Sequence, residues 1–238
     1  MEETGTAAFM DFRELGVEGA RRLREAAQPQ DVREFIFGSD NAAVLDIADG
    51  FGASGANDDE FAERREATRK AGQPFAIHAG EPNDSDIHPA LDLDPELLIH
   101  MVHAEQEHLD RVQQQEVPIV ICPRANIVLD SGFAPVRELV DHTTVAIGTD
   151  NVMLNNPNMF REMEFAAKLF DVSPREVLRM ATVAGAEVAG FDFGVIEAGA
   201  PAKVVVIDGD SNNLSSQENV HATITRRAGP EDIKRVLL

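Results

Sequence analysis

Tryptophan and tyrosine are absent from this chain, Cys122 is its only cysteine, and lysine occurs four times, as Lys70, Lys168, Lys203 and Lys234. A single cysteine excludes an internal disulfide and fits a reducing cytosol. Positive charge is also scarce: 21 Lys and Arg stand against 42 Asp and Glu, a formal net charge of −21. Nucleic acid and anionic membrane surfaces are therefore disfavoured as partners. The acidic residues are dispersed along the chain, and a lysine-poor acidic surface of this kind suits concentrated salt, where surface charge is screened. No apolar run approaches the roughly 20 residues of a bilayer-spanning helix. The amino-terminal MEETGTAAFMDF also lacks the basic-then-apolar pattern of a secretory signal. The expectation is a soluble, cytoplasmic protein.

What is present is enough for one large core with a small appendage: 238 residues, 43% of them hydrophobic. Short apolar runs alternate with amphipathic stretches, as in repeated β-α units around a parallel sheet. Seven runs read as strands: 4–10, 33–38, 41–48, 74–79, 97–104, 117–122 and 143–150. Helices are predicted over 16–28, 58–72, 104–116, 133–142, 159–170 and 173–190. The second begins near Asp58 and Asp59 and ends with Arg69, Lys70 and Gly72, as the helix dipole and a glycine C-cap favour. The last opens on Ser173-Pro174 with Glu176 following, a capping-box start. From Phe191 the pattern changes to short β segments with glycine turns, GVIEAGAPAKVVVIDGD and HATITRR. The boundary falls near Gly190, with residues 1–190 forming an α/β barrel and 191–238 part of a small β-sandwich. The expected barrel is a (β/α)8 TIM-like one that lacks a strand. A doubly wound sheet competes, but no GxGxxG or GxxxxGK[ST] supports its nucleotide-binding form.

Several of the proposed strands end in a group able to bind a metal or move a proton: His78 and Glu81, then His100 or His103, then Asp150. Histidine is the commonest metal ligand, and a carboxylate beside it suits Zn²⁺ or Fe²⁺. A barrel gathers such strand ends at one face. Taken singly, each has an ordinary reading: His78 hydrogen-bonded in the core, Asp150 capping a turn, Cys122 a small buried hydrophobe. His100 and His103 would face opposite sides of an extended strand, so one of them points inward. His88, His108 and His142 fall in loop or helical text and read as surface residues.

The ordered motifs HAGE, LIHMVHA, ICPRAN, FAPV and IGTDN, with FREM following, resemble the metal-dependent amidohydrolase superfamily. The likeness is to its cytosine deaminase, adenosine-analogue deaminase and triazine hydrolase branch, and it runs from about Gly5 to Asp208. It implies one divalent metal, Zn or Fe, and hydrolysis of a C–N bond in a small cyclic amidine or nucleobase-like molecule. On that resemblance His78 is a metal ligand, and Asp150 is a ligand and the base that takes the attacking water's proton. Glu81 is the proton shuttle, His100 contacts the substrate's polarised group, and His103 is a further candidate there. Asn126 lies near the substrate, and Arg124 replaces a small residue common in the family.

The same resemblance exposes a gap. The family opens its barrel with an HxH pair at the end of the first strand, and no HxH occurs in this sequence. TGTAAFMDFRELG resembles the family's second strand, and GVIEAGAPAKVVVIDGD the returning half of its sandwich, with Ala202-Lys203 where Ala-Asp is common. Strand one and two metal ligands are thus expected to be missing, leaving unpaired edges that invite a homo-oligomer. A fragment or mis-started reading frame is the favoured explanation, beside a degenerate homologue and a subunit completed by another chain. The alternative function is a catalytically inactive barrel with a structural or partner-binding role. A Schiff-base aldolase stands further off, since no lysine falls at a strand end.

Overall fold

The computed structural model describes residues 1–215 and 218–238. Seven strands form one sheet in sequence order with every neighbouring pair parallel. They are β1 (Ala8–Arg13), β2 (Arg33–Gly38), β3 (Gly50–Ala53), β4 (Phe75–Ala79), β5 (Leu97–His100), β6 (Ile119–Ile121) and β7 (Val145–Ile147). Among the described residues β1 and β7 are its two edges. The first connections carry α1 (Gly16–Ala27), α2 (Ala62–Ala71), α3 (Ile87–Asp92) and α4 (Gln106–Gln115). β6 and β7 are joined through α5 (Pro123–Val128) and α6 (Val136–His142), and α7 (Met159–Leu169), α8 (Pro174–Met180) and α9 (Val183–Val188) follow. The chain ends with β8 (Val204–Ile207), α10 (Val220–Arg227) and β9 (Ile233–Leu237), where β8 and β9 pair antiparallel. Among the described residues no helix is long and apolar enough to cross a membrane.

Side chains alternate across the sheet, as a strand's period of two requires. Phe75, Ile77, Leu98, Ile119, Ile121, Val145 and Ile147 join the outer core beneath the helices. Ala76, Leu97, Ile99, Val120, Cys122 and Ala146 form a second cluster on the inner face. His78 shares its parity with Ala76, which puts its ring on that inner face. The residues of β1 are only half-buried, although Met10 and Phe12 pack on the inner cluster.

Four expectations need correction. Residues 41–48 are not a strand: Asn41 accepts the Ala43 N–H and starts a 3-10 turn over Ala42–Asp46. The third strand lies just beyond and is glycine-rich, because a Cβ on Gly50 would sit 2.6 Å from the Pro74 carbonyl oxygen and one on Gly52 2.5 Å from the Phe12 ring. HATITRR is helical within α10, not β: Asn219 caps it by accepting the Ala222 N–H, and packing on α7 and α8 outweighs the β-branched residues. His108 is 2% exposed instead of lying on the surface, since its ring folds back to accept the Glu105 N–H at the start of α4. The predicted helix over 173–190 is also interrupted, at Thr182 between α8 and α9.

Candidate functional site

The carboxyl ends of β4, β5 and β7 bring together most of the residues singled out above. His78 is the penultimate residue of β4, and its Nδ1–H donates to the Ala53 carbonyl at the end of β3, 2.9 Å away. That bond leaves Nε2 with a free lone pair, the form in which histidine ligates a metal. The Phe12 ring meets the His78 ring edge-on at 4.5 Å. Burial pushes the His78 pKa down, so the ring is held neutral.

Gly80 then turns the chain with φ 65, and a Cβ there would lie 2.7 Å from Ile87 Cδ1. Asp86 fixes this turn by accepting the Gly80 N–H at 2.8 Å. Glu81 is thereby aimed inward, with Oε1 accepting from Asn126 Nδ2 at 3.3 Å and Oε2 lying 3.6 Å from His100 Nε2. Burial, followed by the nearby Asp150 charge, raises its pKa, as suits a carboxyl that carries a proton toward neutral pH.

His100 closes β5 and is 1% exposed. It sits in the left-handed region at φ 75, with Met101 following at φ 53, and Asp150 beyond β7 is at φ 57. Such non-glycine positions are costly and concentrate at functional sites. The double left-handed step also redirects the chain, so the extended-strand argument about His100 and His103 does not apply. His100 turns inward and His103 is exposed, its N–H donating to the Gly80 carbonyl. Burial, and then proximity to His78, lowers the pKa of His100 to about 3, and it is neutral at any physiological pH. The ligand atoms of Glu81, His100 and Asp150 all lie within 4.8 Å of one another.

Asn126, on α5 and 2% exposed, donates from Nδ2 to His100 Nδ1 at 3.0 Å and to Glu81 Oε1. Beside it, Arg124 reaches α7: its Nε donates to Glu162 Oε1 at 2.6 Å and its Nη2 to the Asn156 carbonyl at 2.7 Å. Glu162 is fully buried. Arg124 is thus committed to an internal ion pair that anchors the segment after Asp150. Phe12, Asp86 and Glu162 were not singled out from sequence. The one available signal was for Glu162, a charge set in the apolar helix text FREMEF.

A second trio, His88, Glu107 and His108, also brings its ligand atoms within 4.8 Å of one another. Its hydrogen bonds argue against a metal. His88 Nδ1 faces an Arg111 guanidinium N–H at 3.1 Å and His108 Nδ1 accepts the Glu105 N–H at 3.0 Å. Both donors are obligate, so each ring carries its proton on Nε2, and both Nε2 atoms point at Glu107, at 3.1 and 3.9 Å.

The sequence profile of the amidohydrolase family matches residues 4–237, and the chain belongs to this family. A protein of Methanocaldococcus jannaschii is 31% identical over 98% of this chain and 69% of its own length. The 5-methylthioadenosine/S-adenosylhomocysteine deaminase of Natronomonas pharaonis is 30% identical over 77% of this chain and 48% of its own. Among solved structures, guanine deaminase from C. acetobutylicum with bound guanine superposes with a TM-score of 0.83, over 99% of this chain and 71% of that one, at 17% identity. The α/β sheet described here therefore has the fold of the TIM-like amidohydrolase barrel. The chain spans between about half and about seven-tenths of these proteins' lengths.

Proposed function

We propose that the chain is the larger part of a metal-dependent aminohydrolase that hydrolyses a C–N bond in a cyclic amidine or nucleobase-like molecule. The observation that carries this reading is the convergence of His78, Glu81, His100 and Asp150 from three ends of one parallel sheet. Surface residues or structural ion pairs have no reason to gather there. The donor set fits a divalent ion, zinc or iron: His78 offers a lone pair on Nε2, and Asp150 offers a carboxylate. Bound there, the ion would supply acidification of the attacking water, to a pKa of about 7. Asp150 takes the water's proton, Glu81 delivers one to the ring or leaving nitrogen, and the His100 Nε2–H donates to the polar substituent of the attacked carbon. Asn126 and His103 are assigned to the substrate side, His103 at the outer rim.

Two protein donors are fewer than the three usual for catalytic zinc. We therefore place a further strand between the free edges of β7 and β1, supplying the remaining ligands, and read residues 191–238 as part of a small sandwich beside the 1–190 barrel. The unpaired edges and the half-exposed β1 support that arrangement, and the same edges would support pairing with a second copy. The same shortage favours the second reading, a catalytically silent barrel.

The test is ammonia release from aminopurines, aminopyrimidines and aminotriazines by the zinc-loaded protein, extended upstream by any in-frame coding sequence. Activity that drops about 10²-fold or more in Asp150→Asn supports the enzyme. Unchanged activity in that variant removes Asp150 from its role, and no turnover by the zinc-loaded protein leaves the silent barrel.

A further inference from the structure

The two inward histidines are held in opposite tautomers, and the origin of the difference is visible. His78 donates from Nδ1 to a carbonyl, which can only accept. His100 instead presents Nδ1 to the amide of Asn126 at 3.0 Å, in a site where both groups are almost wholly buried. An asparagine amide has a donor end and an acceptor end, so which one faces the ring decides the tautomer. Ionised Glu81 makes that choice: its Oε1 lies 3.3 Å from the same nitrogen, and turning the amide over would set an amide oxygen against a carboxylate oxygen. With NH₂ toward both partners, His100 Nδ1 must accept. Its proton is then on Nε2, which points toward Glu81 Oε2 at 3.6 Å.

We propose that Asn126 is a positioning residue that fixes His100 as an Nε2–H donor and thereby excludes it from the metal's ligand set. The inference deepens the reading of the site given above and rests on it for the function of the donor. The tautomer itself follows from hydrogen bonds within the chain alone. It also explains how an imidazole so close to Glu81 and Asp150 is kept for hydrogen bonding: ligation through Nε2 would need a proton on Nδ1, directly against the Asn126 amide.

Two-bond ¹H–¹⁵N correlation spectra of the ¹⁵N-histidine-labelled chain near pH 7.5 report each ring's tautomer, with His100 assigned by the signals lost in His100→Gln. The result expected is an unprotonated Nδ1 and a protonated Nε2 for His100, with the reverse for His78. In Asn126→Leu, which removes the donor without adding a carboxyl beside Glu81, the His100 preference for Nε2–H should weaken to a mixture of both tautomers, while the His78 pattern stays as it was and serves as the control for folding. A wild-type His100 protonated on Nδ1 overturns the inference without any variant. So does an Asn126→Leu spectrum in which His100 is unchanged. Neither result touches the assignment of the chain as a C–N hydrolase, which the ammonia assay decides separately.

Discussion

His78 and His100 face each other with ring centroids 5.3 Å apart, one with its free Nε2 lone pair and the other with an Nε2–H. On the function proposed above, two like side chains on adjacent strands take different work, the first as ligand and the second as donor. Substitutions should separate them. His100→Gln is expected to lower kcat by about 10² to 10³, the loss typical of one oxyanion-type donor, with zinc content unchanged. His78→Ala is expected to lose the zinc as well. Kinetics with metal analysis on the same preparations checks both.

The Arg124–Glu162 pair bridges α5 and α7, with Glu162 fully buried. Removing only the guanidinium leaves a buried carboxylate with no charged partner, held by the backbone N–H of residue 124 at 3.4 Å, so Arg124→Met should cost about 3 to 5 kcal/mol. Arg124→Met combined with Glu162→Leu should recover most of that loss, since both charges go. Urea unfolding of the single and double variants measures the difference.

Acid should destabilise the fold through His100. Its pKa lies near 3 when folded against the ordinary 6.5, so between these values the unfolded chain binds more protons. Stability is full above about pH 6.5 and falls as the pH drops toward 3, by up to about 1.4 kcal/mol per pH unit. His78, also shifted down, adds to the loss, whereas Glu81, shifted up, opposes it by favouring the folded state as the pH falls toward 4.5. The urea midpoint of His100→Gln should therefore depend on pH less steeply than that of the wild type between pH 6.5 and 4.5. Equal slopes would contradict this account.

Helices α2 and α4 end alike, in a residue of left-handed conformation, but one has Gly72 at φ 66 and the other Glu116 at φ 54. Glu116 is exposed, and among the described residues its side chain makes no hydrogen bond or ion pair that the conformation serves. Glu116→Gly should stabilise the protein by about 1 kcal/mol, and Gly72→Ala, where a Cβ meets nothing within 4 Å, should destabilise it by a similar amount. Thermal or urea unfolding checks the pair.

Much of this was legible in the sequence because the sheet is parallel and buried. Runs such as PFAIHA and VPIVIC need apolar residues on both faces, and their ends could be read as a set. What escaped detection depends on contacts distant in sequence or on backbone geometry. The glycine strand β3 carries few of the residues that mark strands, because Pro74 and Phe12 leave no room for a Cβ at Gly50 and Gly52. The turn at His100 and Met101 is a left-handed step that no residue type there announces. The side of Asn126 that faces His100 is set by Glu81, 45 residues earlier in the chain. α10 was misread because Thr and Ile favour strands until a cap and two packed helices decide otherwise.

The central claim is that His78 and Asp150 form the metal-binding part of the site, and zinc titration of the purified chain by calorimetry tests it most directly. The account predicts about one zinc per chain, lost in His78→Ala and in Asp150→Asn and retained in His108→Ala at the second histidine cluster. Zinc that survives both site substitutions, or that disappears only with His108→Ala, would contradict it.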